Sequence, residues 1–397
     1  MDSPARPETE PRPATGGLAH GVGGSRPQRV MLLGSYAPSL VNFRGPLVEA
    51  LKARGHEVLA AAPAMDDATE HSLRSLGAEP LSLRLSNASL NPLSMLRSLA
   101  DLRSLLLRCR PDVLISYTIK PVILGALTGR AAGVATIVSL ITGLGFAFTG
   151  EGGSRKRRIA RWAASRLYRA ALRRSDLVLF QNRDDQALFR ELGMLAPNAR
   201  TEIVDGSGVD TGHYRSSPPP PRTSFLMIAR LLRDKGIHEF AEAATRLRRE
   251  HPEVPVALVG YLDPSPDSLS QAELDELIGC GIAFHGKLDD VRPALSACSV
   301  YVLPSYREGT PRSVLEAMAT GRAVITTDAP GCRETVIDGV NGLLVPPRDA
   351  DALYAAMLRF VADPGLAVAM GEQSRRIAET RYDARKVSAD MLRYIGL

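Results

Sequence analysis

Residues Ser299–Asp328 read SVYVLPSYREGTPRSVLEAMATGRAVITTD. The first part is a short apolar run rich in β-branched residues, and the last part, AVITTD, is another. Between them, Val314, Leu315, Met318 and Ala319 recur at helical spacing, and Gly321 supplies a stop signal. A strand, a helix and a second strand in so few residues imply a parallel pair with a crossover helix. Thr310 suits a helix N-cap and Pro311 the first helical position, where a missing N–H costs nothing. The N–H groups of Arg312, Ser313 and Val314 are then free at the helix start, where dipole and donors together favour phosphate. Two acids frame this start, Glu308 before it and Glu316 inside the helix.

The same alternation continues outward from this unit. Before it lie TSFLMIAR, VPVALVG and IAFHG; after it lies NGLLVPP, and helical patterns follow from about Asp349. From Arg29 to about Val204 runs a second alternating set: RVMLLGS, EVLAAA, PLSLRL, DVLISY, ATIVSL, DLVLFQ and TEIVDG, with helix-like segments such as FRGPLVEALKARG between them. Four prolines, Pro218–Pro221, separate the sets and can enter neither a helix nor a central strand. The expected plan is α/β: a disordered tail over 1–28, a Rossmann-like doubly wound domain over 29–213 and a linker over 214–222. A second such domain covers 223–380, and a C-terminal helix over 381–397 packs back on the first. Ligands of such sheets bind at the C-terminal ends of the strands, here across a cleft.

A chain of 397 residues exceeds what one core usually organises. Hydrophobic content of 45% with 23% charged residues is ordinary for a globular protein, and no run of eighteen apolar residues predicts a membrane span. The four cysteines have no metal-type spacing, which fits a reducing compartment. Lysines and arginines exceed acids by 49 − 43 = 6, a modest pull toward anionic partners.

The chemistry gathers in the second half. An acid at Glu308, beside Gly309 where a ligand can approach closely, suits sugar hydroxyls, and Glu316 suits ribose hydroxyls. In LMIARLLRDKGIHEF, Arg230 ends a strand and Lys235 opens a helix. A lysine at a helix start opposes the dipole, a local violation that a bound anion would offset. Arg230, Lys235 and the helix donors together would neutralise a diphosphate. The plainer alternative is that Glu316 pairs with a neighbouring arginine and the cations are solvated.

Glu308-x7-Glu316, preceded by LPSYREG and followed by EAMATGRAVITT and GCRETVIDGVNGLLVPP, resembles the C-terminal half of family-4 retaining glycosyltransferases of GT-B fold; IARLLRDKG is similar to their donor-phosphate segment. The resemblance covers nearly the whole chain from Arg29. It implies a UDP-sugar donor, with Glu308, Arg230 and Lys235 in catalytic roles. Glu316, Gly309, Thr310, Arg312, Ser313 and Val314 would bind the donor. Thr310-Pro311 departs from the Phe-Gly that many members carry. NFRGPLVEALKARGHEV, SYTIKPVILGALTGR, ITGLGFAFTG, FQNRDDQALF and GSGVD resemble the bacterial branch that extends lipid-linked oligosaccharides and capsules. That branch implies a polyprenyl-diphosphate-linked sugar as acceptor, with Asn42, Arg44, Tyr117, Thr118, Lys120 and Thr142 on the acceptor side. N-acetylgalactosamine is the sugar expected. Where many members have a histidine, this chain has SYTIKP, so no histidine is assigned a role.

SRKRRIARWAASRLYRAALRRS holds nine basic residues between Arg155 and Arg174 and no acid, with Ile159, Trp162, Ala163, Tyr168, Ala170 and Ala171 at roughly helical spacing. Such a helix either docks on an anionic membrane surface or covers its own sheet. No aromatic platform for nucleic acid accompanies it. GEGG, Gly150–Gly153, gives the loop before it freedom. The expected location is cytoplasmic, peripheral to the inner face of the plasma membrane. No metal or cofactor is expected; the one D-x-D, Asp349–Asp351, reads as a helix cap. Two further readings are a nucleotide-sugar epimerase of the same plan and a non-catalytic scaffold; a transferase with a soluble acceptor is a third.

Overall fold

Two all-parallel sheets organise the chain in a computed structural model that describes residues 26–83, 92–143, 155–265 and 267–397. The first sheet contains β1 (Arg29–Leu33), β2 (Glu57–Ala62), β3 (Glu79–Ser82), β4 (Val113–Tyr117), β5 (Thr136–Ile141), β6 (Leu177–Phe180) and β7 (Thr201–Ile203), in the order β3-β2-β1-β4-β5-β6-β7. The second contains β8 (Phe225–Ile228), β9 (Val256–Val259), β10 (Ala283–Phe284), β11 (Val300–Leu303), β12 (Ala323–Thr327) and β13 (Gly342–Val345), ordered β10-β9-β8-β11-β12-β13. Each strand grows from one of the apolar runs named above. The central ones are buried along all or nearly all of their length, because helices cover both faces of a parallel sheet. In both sheets the order reverses beside the first strand, and the cleft lies at that switch point.

The first sheet has a core on each face and the second a single continuous one. The C-terminal helix Ala384–Ile395 lies against helix Gly45–Ala53, and its Met391 and Leu392 enter the same core as Val30 and Leu32 of β1. The chain thus crosses back to the first domain. FRGPLVEALKARG forms one helix, Gly45–Ala53, with Arg44 at its N-cap, and a short helix Pro38–Asn42 precedes it across Phe43. Gly55 takes φ +81° just beyond the longer helix.

The tail up to Ser25, residues 144–150 of ITGLGFAFTG and the GEGG stretch lie outside the described residues. Among the described residues, no single helix is long and apolar enough to cross a membrane.

Candidate active site

Helix Arg312–Ala319 follows β11 and carries Glu316 on a buried turn. It starts one residue later than the sequence suggests. Pro311 is the N-cap (φ −72°, ψ 108°) and Arg312 the first helical residue, so Thr310 is not the cap. The Thr310 hydroxyl instead reaches the Gln181 carbonyl of the first domain at 3.4 Å. Val314 is also corrected: its side chain is buried and its amide donates to the Pro311 carbonyl at 3.1 Å. Arg312 and Ser313 are left to present amides at this helix start.

Gly309 is required by the seam between domains. A Cβ there would stand 2.4 Å from Gln181 Oε1 and 2.5 Å from the Thr142 carbonyl. Asn182 Nδ2 fastens the same turn, donating to the carbonyls of Glu308 (3.3 Å) and Gly309 (3.0 Å). Arg307 donates to Asp185, whose carboxylate is buried. Burial raises the Asp185 pKa and Arg307 opposes that rise.

Lys235 closes the 3-10 turn Arg233–Lys235, just ahead of Gly236 (φ +71°) and helix Ile237–Glu250. A side chain at Gly236 would collide with the Pro304 carbonyl, so the turn packs directly against the end of β11. That packing brings Lys235 Nζ to 2.6 Å from Glu308 Oε1, which also accepts from Ser305 Oγ at 2.8 Å. Burial works against the Lys235 charge, but Glu308 and Asp234 outweigh it and its pKa is raised. Asp234 beside it is raised by burial, with Glu308 and Asp267 adding to the effect. Arg230, two residues beyond β8, pairs with Asp263 at 3.1 Å.

A cleft of about 940 Å³ brings most of these groups together. Arg230, Lys235, Glu308, Thr310, Arg312 and Ser313 line one side; Asn42, Arg44, Tyr117, Thr118 and Thr142 line the other. Gly309 lines an adjoining pocket of about 430 Å³ that shares Lys235 and Glu308. Glu316 faces a third compartment, about 720 Å³, with Tyr214 and Asp289–Arg292. Its carboxylate accepts from Arg312 Nε at 2.9 Å, the arginine pairing that the plainer reading anticipates. Lys120 is not among the residues lining the 940 Å³ cleft; it is half-buried on the first turn of helix Ile119–Ala131, and burial lowers its pKa.

Arg44 is 4% exposed, and its Nε has no hydrogen-bond partner among the described residues. Its guanidinium stacks 4.8 Å from the centre of the Tyr117 ring, whose hydroxyl meets Ser39 Oγ at 2.9 Å. Burial pulls the Arg44 pKa down to about 10; Tyr117 resists this and Arg312 reinforces it. Thr118 holds φ +67°, ψ 160°, a conformation normally left to glycine, with its hydroxyl donating to Ser35 Oγ at 2.8 Å. Strain of this kind collects at sites that need a fixed backbone.

Two family models divide the chain where the sheets do. Residues 43–205 match the glycosyl transferase 4-like domain and residues 222–363 the glycosyl transferases group 1. The chain is a group 1 glycosyltransferase of GT-B fold. This glycosyltransferase is 28% identical over 379 residues to the N,N'-diacetylbacillosaminyl-diphospho-undecaprenol alpha-1,3-N-acetylgalactosaminyltransferase of Campylobacter jejuni, covering 92% of the chain and 97% of that relative. It is 26% identical over 279 residues to the UDP-Gal:alpha-D-GlcNAc-diphosphoundecaprenol alpha-1,3-galactosyltransferase of Escherichia coli, covering 68% and 71%. In fold it is similar to the sucrose-phosphate synthase of Thermosynechococcus elongatus (TM-score 0.76, 20% identity, 92% and 98% covered). Anabaena HepE in complex with UDP-glucose is similar too (TM-score 0.75, 20% identity, 93% and 99% covered).

Three groups at the glycosyltransferase's cleft escape a reading by motif. Tyr214 sits in the connecting segment, and its hydroxyl hydrogen-bonds Glu316; burial and that acid raise its pKa. Asp185 and Asp263 pair with Arg307 and Arg230 from far away in sequence. The arginine next to Glu308 is the one local hint of such a partner.

Proposed function

We propose that this glycosyltransferase moves a hexose or N-acetylhexosamine, N-acetylgalactosamine first, from a UDP-sugar to a polyprenyl-diphosphate-linked sugar, with retention of the anomeric configuration. The carrying observation is the single cleft in which Lys235, Arg230 and the start of helix Arg312–Ala319 face the buried Arg44. The first group suits the donor diphosphate and the second an acceptor diphosphate. Glu308 takes the donor sugar and Glu316 the ribose. The relatives' names support the lipid-linked acceptor.

As the glycosidic bond to the donor breaks, charge grows on the departing diphosphate. Lys235, Arg230 and the amides of Arg312 and Ser313 stand where that charge develops. Attack comes from the same face, with the departing phosphate taking the acceptor proton. This scheme asks for no metal and no cofactor. Asp349 is engaged as a cap, its Oδ1 accepting from the Ala352 amide at 2.8 Å.

The basic helix Arg155–Leu172 serves both of its expected roles on this reading. Tyr168, Ala171 and Leu172 are buried in the core, whereas Trp162 is 61% exposed, with Arg166 5.2 Å from its ring. Arg158, Arg161 and Arg166 are exposed on the same stretch. That end suits an anionic membrane where a lipid-linked acceptor resides, and a location at the inner face of the plasma membrane follows from this reading. The epimerase alternative is not favoured, since the matched relatives are transferases.

A donor screen against a short polyprenyl-diphosphate sugar, read by anomeric NMR, tests the proposal. Transfer from UDP-N-acetylgalactosamine with retention is the expected result. Inversion removes the same-face route, and transfer only to soluble sugars removes the lipid acceptor.

A further inference from the structure

The 720 Å³ compartment of Glu316 and the 940 Å³ compartment of Glu308 adjoin, and five residues line both: Asn42, Phe43, Ser207, Arg312 and Ser313. Arg312 Nε donates to Glu316, and another nitrogen of the same guanidinium donates to the Asn42 carbonyl of the first domain. Its planar group also lies 4.9 Å from the centre of the Phe43 ring, again in the first domain. Tyr214, the other hydrogen-bonding group on Glu316, belongs to the segment that connects the domains. The acid assigned to the ribose is therefore already occupied, and both occupants belong to the apparatus that sets one domain against the other.

We infer that Arg312 is a positioning residue with two separate tasks: it ties the two domains across the cleft, and it occupies Glu316 until a nucleoside displaces it. This rests on the donor reading above. Ribose hydroxyls replace the N–H donation from Arg312, and no proton changes hands. Arg312 keeps the Asn42 carbonyl and the Phe43 face, so the cleft stays bridged while the acid is handed over. A site that spends part of its time occupied internally shows an affinity reduced by the competent fraction. The bridge contributes in the opposite sense, because transfer requires both substrates held in register.

The two roles predict a split between binding and turnover that a plain phosphate ligand does not give. UDP binding by calorimetry and kcat by steady-state kinetics are measured for wild type, Arg312→Ala and Arg312→Lys. Arg312→Ala is expected to bind UDP about 3- to 10-fold more tightly, the competent fraction having risen. Its kcat falls at least ~10-fold as the bridge is lost. Arg312→Lys keeps the charge without the fork and falls between the two in kcat. UDP binding that weakens in step with kcat overturns the inference, as does a kcat equal to wild type. If Arg312→Ala does not fold, Arg312→Gln carries the same comparison. Glu316→Gln tests the underlying reading separately: undiminished UDP binding there contradicts the ribose assignment, whatever Arg312 does.

Discussion

Lys235, half-buried, and Arg44, buried, are cations lining one cleft, yet their surroundings are opposite. Lys235 has the Glu308 carboxylate at 2.6 Å and Asp234 nearby, so its charge is favoured despite burial. Arg44 has an aromatic ring, a second arginine and an Nε without a partner among the described residues, so burial lowers its pKa to about 10. On the second-domain side Lys235 and Arg230 each have a carboxylate partner without substrate; the first-domain side carries a cation that an incoming anion would complete. A self-compensated site holds its geometry ready, whereas an uncompensated one draws specificity from its ligand at a cost in stability.

The largest expected effect comes from removing the compensated charge. Lys235→Ala should reduce turnover at least ~100-fold, the loss of a partner to developing negative charge. It should also destabilise the fold by about 2 kcal/mol, because the half-buried Glu308 loses its cation and keeps only the bond from Ser305. Kinetics and chemical denaturation check the two halves, and near-wild-type turnover would discard the phosphate assignment.

Arg44→Met breaks the comparison from the other side. With an acceptor in hand, kcat/KM should fall about 30-fold, on the scale of one lost charge-assisted contact. Stability should rise by about 1 kcal/mol as an uncompensated buried charge is replaced by a similar apolar volume. A drop in melting temperature would mean that Arg44 is satisfied without a ligand, and the contrast would collapse.

The first domain's exposed cations come next. Arg158, Arg161 and Arg166 replaced together by Gln should weaken binding to anionic vesicles at least ~10-fold, from about 1 kcal/mol per basic residue near a charged surface. Flotation or surface plasmon resonance reads this directly, and unchanged binding leaves the helix with packing alone. The smallest effect is expected at Thr118. Thr118→Gly relieves its positive φ and should raise stability by up to about 1 kcal/mol, offset in part by the lost bond to Ser35. Thermal unfolding measures it; a clear loss of stability would show the strain argument to be wrong there.

The sheets were legible because parallel strands buried on both faces must be short apolar runs, and SVYVLPS or DVLISY leave no other reading. Helix starts were less so. Thr310-Pro311 looks like a cap followed by a first turn, but the seam with Gln181 and Thr142 holds Pro311 extended and delays the helix. Local preference yielded there to a tertiary contact. The sequence likewise marks Glu308, Lys235 and Arg230 by type and spacing, and the fold brings them into one cleft. The pairings of Asp185 with Arg307 and of Tyr214 with Glu316 depend on how the domains meet, which no local pattern encodes. The strained backbone at Thr118 is equally silent in sequence, since threonine does not announce a positive φ.

A crystal structure of the glycosyltransferase soaked with UDP tests the donor side most directly. The account predicts the diphosphate within hydrogen-bond reach of Lys235, Arg230 and the amides of Arg312 and Ser313, with the ribose on Glu316. A nucleotide whose diphosphate lies instead on Arg44 would contradict it.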